Sequence, residues 1–273
     1  MELYDAIFYR KSTKRYSNKR LKDSLLEEVR NTCSKINYLN RDLDIKAHVI
    51  ERGHLVHFLM GKDCKVKAPH YIIVTSNKGE DYLQNIGFAI EEVVLKLTML
   101  GVATCWLECN IKREDILEFV DLEENQECTD ISEENEELPS IDNLENPYAI
   151  IAFGYPEESE KLFRNNKNID RKKINQVCKK LDKNLENIIE AVRLAPSMKN
   201  SQPWILYNNS NVINLYEEKQ KKHLKDVNKI SMGIALRHFD IACKRFNIEV
   251  NYSKAEAKKR IGKEYYITAI LKQ

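Results

Sequence analysis

Three side chains near the start of the chain alternate at a spacing that suits a phosphate group. Arg10, Ser12 and Lys14 offer a guanidinium fork, a hydroxyl donor and a point charge within five residues. Together they match the oxygens of a terminal phosphate monoester. The competing interpretation is the solvated basic end of a helix, whose cations stabilise its C-terminal dipole. The spacing alone favours this second interpretation.

A polar loop later in the chain offers hydrogen-bonding groups of another kind. Pro196 and Pro203 bracket Ser197, Asn200 and Gln202, and the prolines restrict the backbone that carries these side chains. Amide and hydroxyl groups held in this way can match the donor and acceptor edge of a flat heterocycle. A helix stop followed by a turn would have the same composition, so composition leaves both interpretations open.

Other reactive groups give weaker signals. Cys105 and Cys109 follow a helix-capping glycine on a short predicted strand, and without a nearby histidine they indicate redox or metal chemistry only weakly. His54 and His57 lack the glutamate that completes a zinc-binding helix. The seven cysteines are odd in number and scattered, which is typical of reduced thiols that pack in the interior. We therefore expect no metal site.

Glycine usage restricts how this chain can bind phosphate. The 273 residues include only 8 glycines, and no two lie closer than eight residues apart. This spacing excludes the G-x-G-x-x-G loop and the Walker loop. Side chains must therefore replace a glycine-rich nest as phosphate ligands.

The net charge of +2 conceals a separation of charge along the chain. Residues 114–160 hold 17 acidic and no basic side chains, so the other 226 residues hold 44 basic and 25 acidic ones, a net charge of +19. Such a charge attracts polyanions. However, basic and acidic residues alternate along the predicted helices, and no RNA-binding aromatic pattern accompanies them. We expect no nucleic-acid partner.

Hydrophobic patterns predict the elements that position these groups. Helices are predicted at 3–15, at 24–33 behind a capping box that starts at Ser24, and at 83–100, with buried strands at 71–74 and 148–153. A lysine-rich helical segment is predicted after Pro156, and the acidic stretch 121–146 is predicted to be a surface insertion. We find no signal-peptide core and no membrane-length apolar run, and expect a cytoplasmic protein without membrane contact.

An internal repeat relates the two parts of the chain. The matching segments are 86–90 with 232–236 at a shift of 146, 28–37 with 191–200 at a shift of 163, and 148–151 with 266–269. Chance could give any one of these matches, but all three occur in the same order in both parts. They indicate a fused duplication whose halves pack as a pseudo-twofold pair.

These motifs resemble the FMN-dependent nitroreductase family. The chain carries R-x-S-x-K at 10–14, L-G-x-x-T-C-W at 100–106, I-A-x-G-Y-P at 151–156 and A-P-S-x-x-N-x-Q-P-W at 195–204. Ordinary members carry all four motifs in one subunit and form homodimers, whereas here the last motif lies in the second half. The chain is therefore most similar to the fused, two-repeat branch. This resemblance implies an α+β fold with mixed or antiparallel sheets, in which halves at 1–163 and 164–273 form an intramolecular pseudo-dimer.

The repeat sharpens what the resemblance implies. In the second half, the positions equivalent to the phosphate triad are occupied by Lys173, Asn175 and Val177. In the first half, Cys33 replaces Pro196 and Asn40-Arg41 replaces Pro203-Trp204, while Ser34 and Asn37 are equivalent to Ser197 and Asn200. Each half retains what the other has lost, so we expect one FMN site at the junction of the halves and one degenerate pseudo-site.

The resemblance also implies roles for individual residues. Arg10, Ser12 and Lys14 would bind the FMN phosphate, helped by Lys161 or Arg164. Pro196, Ser197 and Asn200 would contact the ring and its pyrimidine edge, with Gln202 supporting the loop. The backbone amides of Glu108 and Cys109 would approach flavin N5, although the family often has glycine at one or both positions. No side chain is expected to act as a general base, because the flavin carries the chemistry.

The implied function is electron transfer from NADH or NADPH to a small acceptor such as a nitroaromatic or a quinone, by a ping-pong flavin mechanism. Fusion would satisfy the family's dimer interface within one chain, so a monomer is expected. The alternative is a flavin-binding or flavin-sensing protein without turnover. It would apply if the acidic insertion covered the site or if Cys109 crowded N5.

Overall fold

Two long helices pack against each other, and each also packs against its own sheet. The computed structural model describes residues 1–117, 120, 144–165, 169–219 and 224–272. The helices are α1 Leu3–Tyr9, α2 Asp23–Cys33, α3 Gly53–Leu59, α4 Tyr82–Met99, α5 Arg113–Ile116, α6 Ile174–Val177, α7 Glu186–Arg193 and α8 Lys225–Arg245. The strands are β1 Lys46–Ile50, β2 His70–Ser76, β3 Ala103–Glu108, β4 Asn146–Gly154, β5 Cys178–Lys179, β6 Trp204–Asn209, β7 Val212–Glu218, β8 Glu249–Ser253 and β9 Lys263–Lys272. Within these ranges, no helix is both long enough and apolar enough to cross a membrane.

The two sheets repeat one strand order. The first sheet is ordered β1-β2-β4-β3 and the second β5-β6-β7-β9-β8. All neighbours are antiparallel except the short parallel pair of β5 and β6. Apart from β5, the orders correspond strand for strand, and α4 follows β2 as α8 follows β7. The α+β class with mixed or antiparallel sheets is confirmed.

The contact between α4 and α8 is reciprocal. A Cβ added to Gly87 would lie 1.9 Å from the backbone oxygen of Ile230, and one added to Gly233 would lie 1.7 Å from that of Gln84. Residue 230 is residue 84 shifted by 146, as 233 is 87 shifted by 146. Each helix therefore presents the same positions to the other, as an isologous contact requires. Glycine is needed here because the two backbones touch.

Both long helices also end in the same way. Val102 donates to Leu97 and Gly101 to Thr98, while Ile248 donates to Cys243 and Asn247 to Lys244. These are the paired bonds of a Schellman motif, with Gly101 at φ 76° and Asn247 at φ 56° in the left-handed position. The shift of 146 also relates these two caps, so the repeat extends from the helices into β3 and β8.

Some predicted elements differ from the observed ones. Helix α1 stops at Tyr9 because Arg10 is extended, with ψ 136°. Helix α2 begins at Asp23 with Lys22 as its N-cap, so Ser24 is not the cap. The lysine-rich segment after Pro156 is not helical over 157–165 or 169–173. There, backbone bonds from Glu157 to Arg15 and from Arg164 to Tyr9 hold it against the N-terminal segment. The predicted surface insertion at 121–146 lies outside the described residues as far as residue 143.

Glu145 ties the end of the acidic stretch to the first sheet. Its carboxylate accepts hydrogen bonds from His48 Nε2 and Lys46 Nζ, each at 3.2 Å, and from the Thr75 hydroxyl. Burial alone would raise the pKa of Glu145. The hydrogen bonds from His48 and Thr75 and the charge of Lys46 outweigh that effect and lower the pKa to about 2.

Because the pKa is lowered in the folded state, this carboxylate should stabilise the fold fully above its ordinary pKa of 4.5, and the contribution should vanish as the pH falls to about 2. We expect Glu145→Gln to lower the free energy of unfolding at pH 7. The difference in this free energy between the variant and the unmodified protein should be smaller at pH 3. Denaturant unfolding at several pH values measures this gap. The exposed Glu158→Gln should leave both values unchanged. A pH-independent gap for Glu145→Gln would contradict the assignment.

Candidate active site

A cavity of about 700 Å³ lies where the two halves meet. The N-terminal segment after α1, strand β3, the loop before β6 and one face of α8 form its walls. Three of its cations, Arg10, Arg164 and Arg171, lie close enough to repel one another. Together with Lys14, which lies two residues after the Ser12 that bonds to Arg10, they form what we call the cationic end. The other walls are largely apolar and include Val66, Trp106, Leu107, Met198, Ile230 and Ile234. The lining therefore combines a cluster of arginines with apolar walls.

The N-terminal segment presents its polar residues from an extended chain. Ser12 forms a parallel bridge with Thr104, and Thr13 N–H donates to Thr104 O at 3.0 Å. Alternation along an extended chain places Arg10, Ser12 and Lys14 on one side, and all three line the cavity. Arg10 is 2% exposed and donates to Ser12 Oγ through both terminal nitrogens at 3.1 Å. A strand-like period, not a helical one, brings these residues together.

Three guanidinium groups at the cationic end lack part of their hydrogen bonding. Among the described atoms, Arg10 Nε, Arg164 Nη1 and Arg171 Nε are buried without a hydrogen-bond partner. Burial, followed by repulsion from Arg10 and Arg171, lowers the pKa of Arg164 to about 9. Burial and repulsion from Arg10 lower that of Arg171 to about 10. Clustered cations with unfilled donors favour an anion with several oxygens.

A buried carboxylate supports this end of the cavity. Glu91 of α4 accepts from Trp106 Nε1 at 2.8 Å, contacts His238 Nε2 at 3.0 Å and lies 3.8 Å from Arg10 Nε. His238 of α8 also contacts the carbonyl of Ala191 through Nδ1 at 2.9 Å. Since a carbonyl only accepts, Nδ1 donates, and the Nε2 contact requires one further proton on the histidine or on the glutamate. The pair thus joins the halves directly behind two lining residues.

The polar loop has an unusual backbone. Lys199, Asn200 and Gln202 have φ of 49°, 57° and 46°, a left-handed conformation that costs about 1–3 kcal/mol at each non-glycine residue. Ser197 Oγ accepts from Gln202 N at 2.9 Å, and Gln202 Nε2 donates to Asn200 O at 3.1 Å. These bonds hold Pro196, Ser197 and Asn200 along the cavity.

Strand β3 offers a free backbone edge to the cavity. It is the edge strand beside β4, and its Thr104 carbonyl points away from β4 towards Thr13. Since backbone groups alternate between the two edges of a strand, the amides of Trp106 and Glu108 share this free edge. Cys109 Sγ instead donates to Ile111 O at 3.7 Å, and burial raises the pKa of this thiol to about 11.

The structure brings together eight of the eleven residues predicted for the site. Arg10, Ser12, Lys14, Glu108, Arg164, Pro196, Ser197 and Asn200 line the cavity. Gln202 lies behind the loop at 5% exposure, and Lys161 and Cys109 are outside the lining. Sequence reasoning missed Arg171 and the α8 residues Val227, Ile230 and Ile234. The three apolar residues have helical spacing, which was a usable signal, whereas Arg171 lies in an irregular segment that offered none.

At the symmetry-related position, side chains pack against one another. The shift of 146 relates Trp106, Glu108 and Ile234 to Tyr252, Lys254 and Phe88. The Tyr252 ring packs against Phe88 with centroids 6.4 Å apart, and Lys254 pairs with Asp81. Arg237 lies 3.6 Å above the Phe88 ring and donates to the carbonyl of Asn37. The residues equivalent to these three lining residues thus contact other side chains of the chain.

Fold and site together define an α+β protein with a small-molecule cavity between two similar halves. The chain belongs to a nitroreductase family, because the family model described as "Putative TM nitroreductase" matches residues 2–243. A putative nitroreductase from Thermotoga maritima MSB8 is similar in structure, with a TM-score of 0.62 and 22% identity over 99% of this chain and 94% of that one. At this identity the similarity shows the fold alone.

Shorter nitroreductases align less well. The nitroreductase with bound FMN from Bacteroides fragilis has a TM-score of 0.44 and 16% identity, covering 62% of this chain and 95% of its own. A nitroreductase family protein from Clostridium novyi has a TM-score of 0.43 and 20% identity, covering 59% of this chain and 90% of its own. No curated protein matches the chain.

Proposed function

We propose that this chain is an FMN-dependent oxidoreductase that transfers electrons from NADH or NADPH to a small acceptor such as a nitroaromatic or a quinone. One FMN would lie between the two halves of each chain. The observation that carries the proposal is the cluster of three arginines, each with a buried guanidinium nitrogen that lacks a hydrogen-bond partner among the described atoms, in the wall of a largely apolar cavity.

The residues present fit FMN. A phosphate dianion would supply acceptors for Arg10, Arg164 and Arg171, with Ser12 and Lys14 beside them. The apolar walls and the loop at Ser197 and Asn200 suit a flat ring with a polar edge. A volume of 700 Å³ also lies within the range of about 300–1,000 Å³ typical of small-molecule sites.

Each wall would have a separate part in the reaction. Bound FMN would supply hydride and electron transfer. The cationic end would anchor its phosphate, and the β3 edge would offer the Glu108 amide as a fixed donor where negative charge develops on reduction. Trp106, held by Glu91, and the apolar residues of α8 would exclude water from the ring. We assign Arg164, and not Lys161, to the phosphate, because only Arg164 lines the cavity.

A flavin-binding protein without turnover is the alternative. The side chain of Cys109 could favour it only by crowding the ring, yet its thiol bonds to Ile111 O and is absent from the lining. That placement argues against crowding of the ring by Cys109. We also propose a monomer with halves at 1–163 and 164–273, since one chain supplies both walls of the cavity.

The test begins with the purified chain. We expect flavin absorption bands at one FMN per chain, bleaching under anaerobic NADH or NADPH, and recovery of the bands when nitrofurazone or menadione is added. Static light scattering should give the mass of one chain. A colourless protein that cannot be reconstituted with FMN would contradict the proposal. Bound FMN that neither cofactor bleaches would favour the alternative.

A further inference from the structure

Residues 170–172, near the beginning of the second half, are bound to the polar loop by hydrogen bonds. Arg171 Nη1 donates to Asn200 Oδ1 at 2.6 Å, and Asn200 Nδ2 donates to Asp170 Oδ2 at 3.1 Å. Lys172 N–H donates to Gln202 Oε1 at 2.7 Å. Two of the three left-handed loop residues, Asn200 and Gln202, are therefore held by residues 170–172. Such a backbone persists only where its surroundings fix it.

Arg171 also belongs to the arginine cluster at the cationic end. Its Nε is buried without a hydrogen-bond partner among the described atoms. Burial, followed by repulsion from Arg10, lowers the pKa of Arg171. One planar guanidinium thus contacts the loop through one nitrogen and has an unfilled donor on another.

We propose that Arg171 couples the two ends of the cavity, so that a phosphate dianion at the arginine cluster fixes its guanidinium and, through Asn200, the loop beside the flavin ring. Arg171 is in this sense a positioning residue, and the inference rests on the proposed function. Without an anion, repulsion from Arg10 works against the position that Arg171 needs to hold Asn200. With an anion, the same position gains an acceptor, and the loop becomes more rigid.

The coupling predicts that FMN orders the loop more than riboflavin, which has the same ring without phosphate. Amide hydrogen exchange of peptides covering 196–203 measures this order in the full chain, with saturating FMN, riboflavin or inorganic phosphate. We expect inorganic phosphate alone to slow exchange, and FMN to slow it more than riboflavin does.

Two variants of Arg171 separate coupling from simple phosphate binding. Arg171→Gln should weaken FMN binding about 10- to 100-fold and remove the extra slowing by FMN. Arg171→Lys keeps the charge but not the planar fork that reaches two partners. It should therefore retain more FMN affinity than Arg171→Gln and still lose the loop response. Arg41→Gln, an exposed residue outside the lining, should behave like the unmodified protein.

The proposal would be overturned if Arg171→Gln lost FMN affinity while FMN still slowed amide exchange of the loop as in the unmodified protein. It would also be overturned if FMN slowed loop exchange fully in Arg171→Lys. If the unmodified chain binds no flavin, the proposed function fails, and slowing by inorganic phosphate that depends on Arg171 would still support the coupling. Loop exchange that responds to neither phosphate nor FMN overturns it.

Discussion

Gly233→Ala is expected to destabilise the protein by about 3 kcal/mol or more, although alanine normally stabilises a helix interior by about 1 kcal/mol relative to glycine. The added Cβ would lie 1.7 Å from the backbone oxygen of Gln84. Backbone cannot move away as a flexible side chain can, so the whole contact between α4 and α8 must open. Denaturant unfolding measures the loss.

The reciprocal contact provides an internal comparison. Gly87→Ala should destabilise by a similar amount, because its Cβ would meet Ile230 in the same way. Gly61→Ala is the control, since nothing lies within 4 Å of its added Cβ and only its φ of +75° opposes alanine, at about 1 kcal/mol. Equal effects at Gly61 and Gly233 would show that the helices do not touch as described.

Repetition in the sequence made most of the fold predictable. The apolar runs of β2 and β4 and the periodicity of α4 required no tertiary information, and the shift of 146 paired α4 with α8. The predicted end of α1 was wrong for a tertiary reason. Residues after Tyr9 pair with Thr104, some ninety residues away, and this pairing overrides the local helical pattern.

The candidate site was predictable where a motif marked it and unpredictable where only packing did. The family resemblance assigned Arg10, Ser12 and Lys14 to the phosphate although their spacing alone favoured a basic helix end, and they line the cavity because the chain there is extended. Arg171 is brought to the cavity by its bond to Asn200, a contact twenty-nine residues apart in sequence that no local pattern encodes. Trp106 borders the cavity while its indole nitrogen donates to buried Glu91, a contact fifteen residues away in sequence that the motif does not encode.

Arg164→Gln is expected to weaken FMN binding about 10- to 100-fold, the effect of one charge-assisted hydrogen bond, and to leave riboflavin binding unchanged. It should also stabilise the flavin-free protein. Burial and the charges of Arg10 and Arg171 lower the pKa of Arg164, which means that the folded state disfavours its charge at pH 7. Removing that charge relieves the repulsion, so one substitution should raise the melting temperature without FMN and reduce the further increase that FMN gives.

Lys161→Gln is the matched control. Lys161 lies three residues before Arg164, and the substitution removes the positive charge of an exposed side chain that does not line the cavity. Titration of FMN and riboflavin, together with melting curves at saturating and zero FMN, should show no change for this variant. An Arg164→Gln protein that loses both flavins equally would place Arg164 beside the ring instead of the phosphate. A lower melting temperature without FMN would show that the three guanidinium groups already have a counterion in the folded chain. The opposite signs of the two effects identify a site that is destabilised until its anion binds.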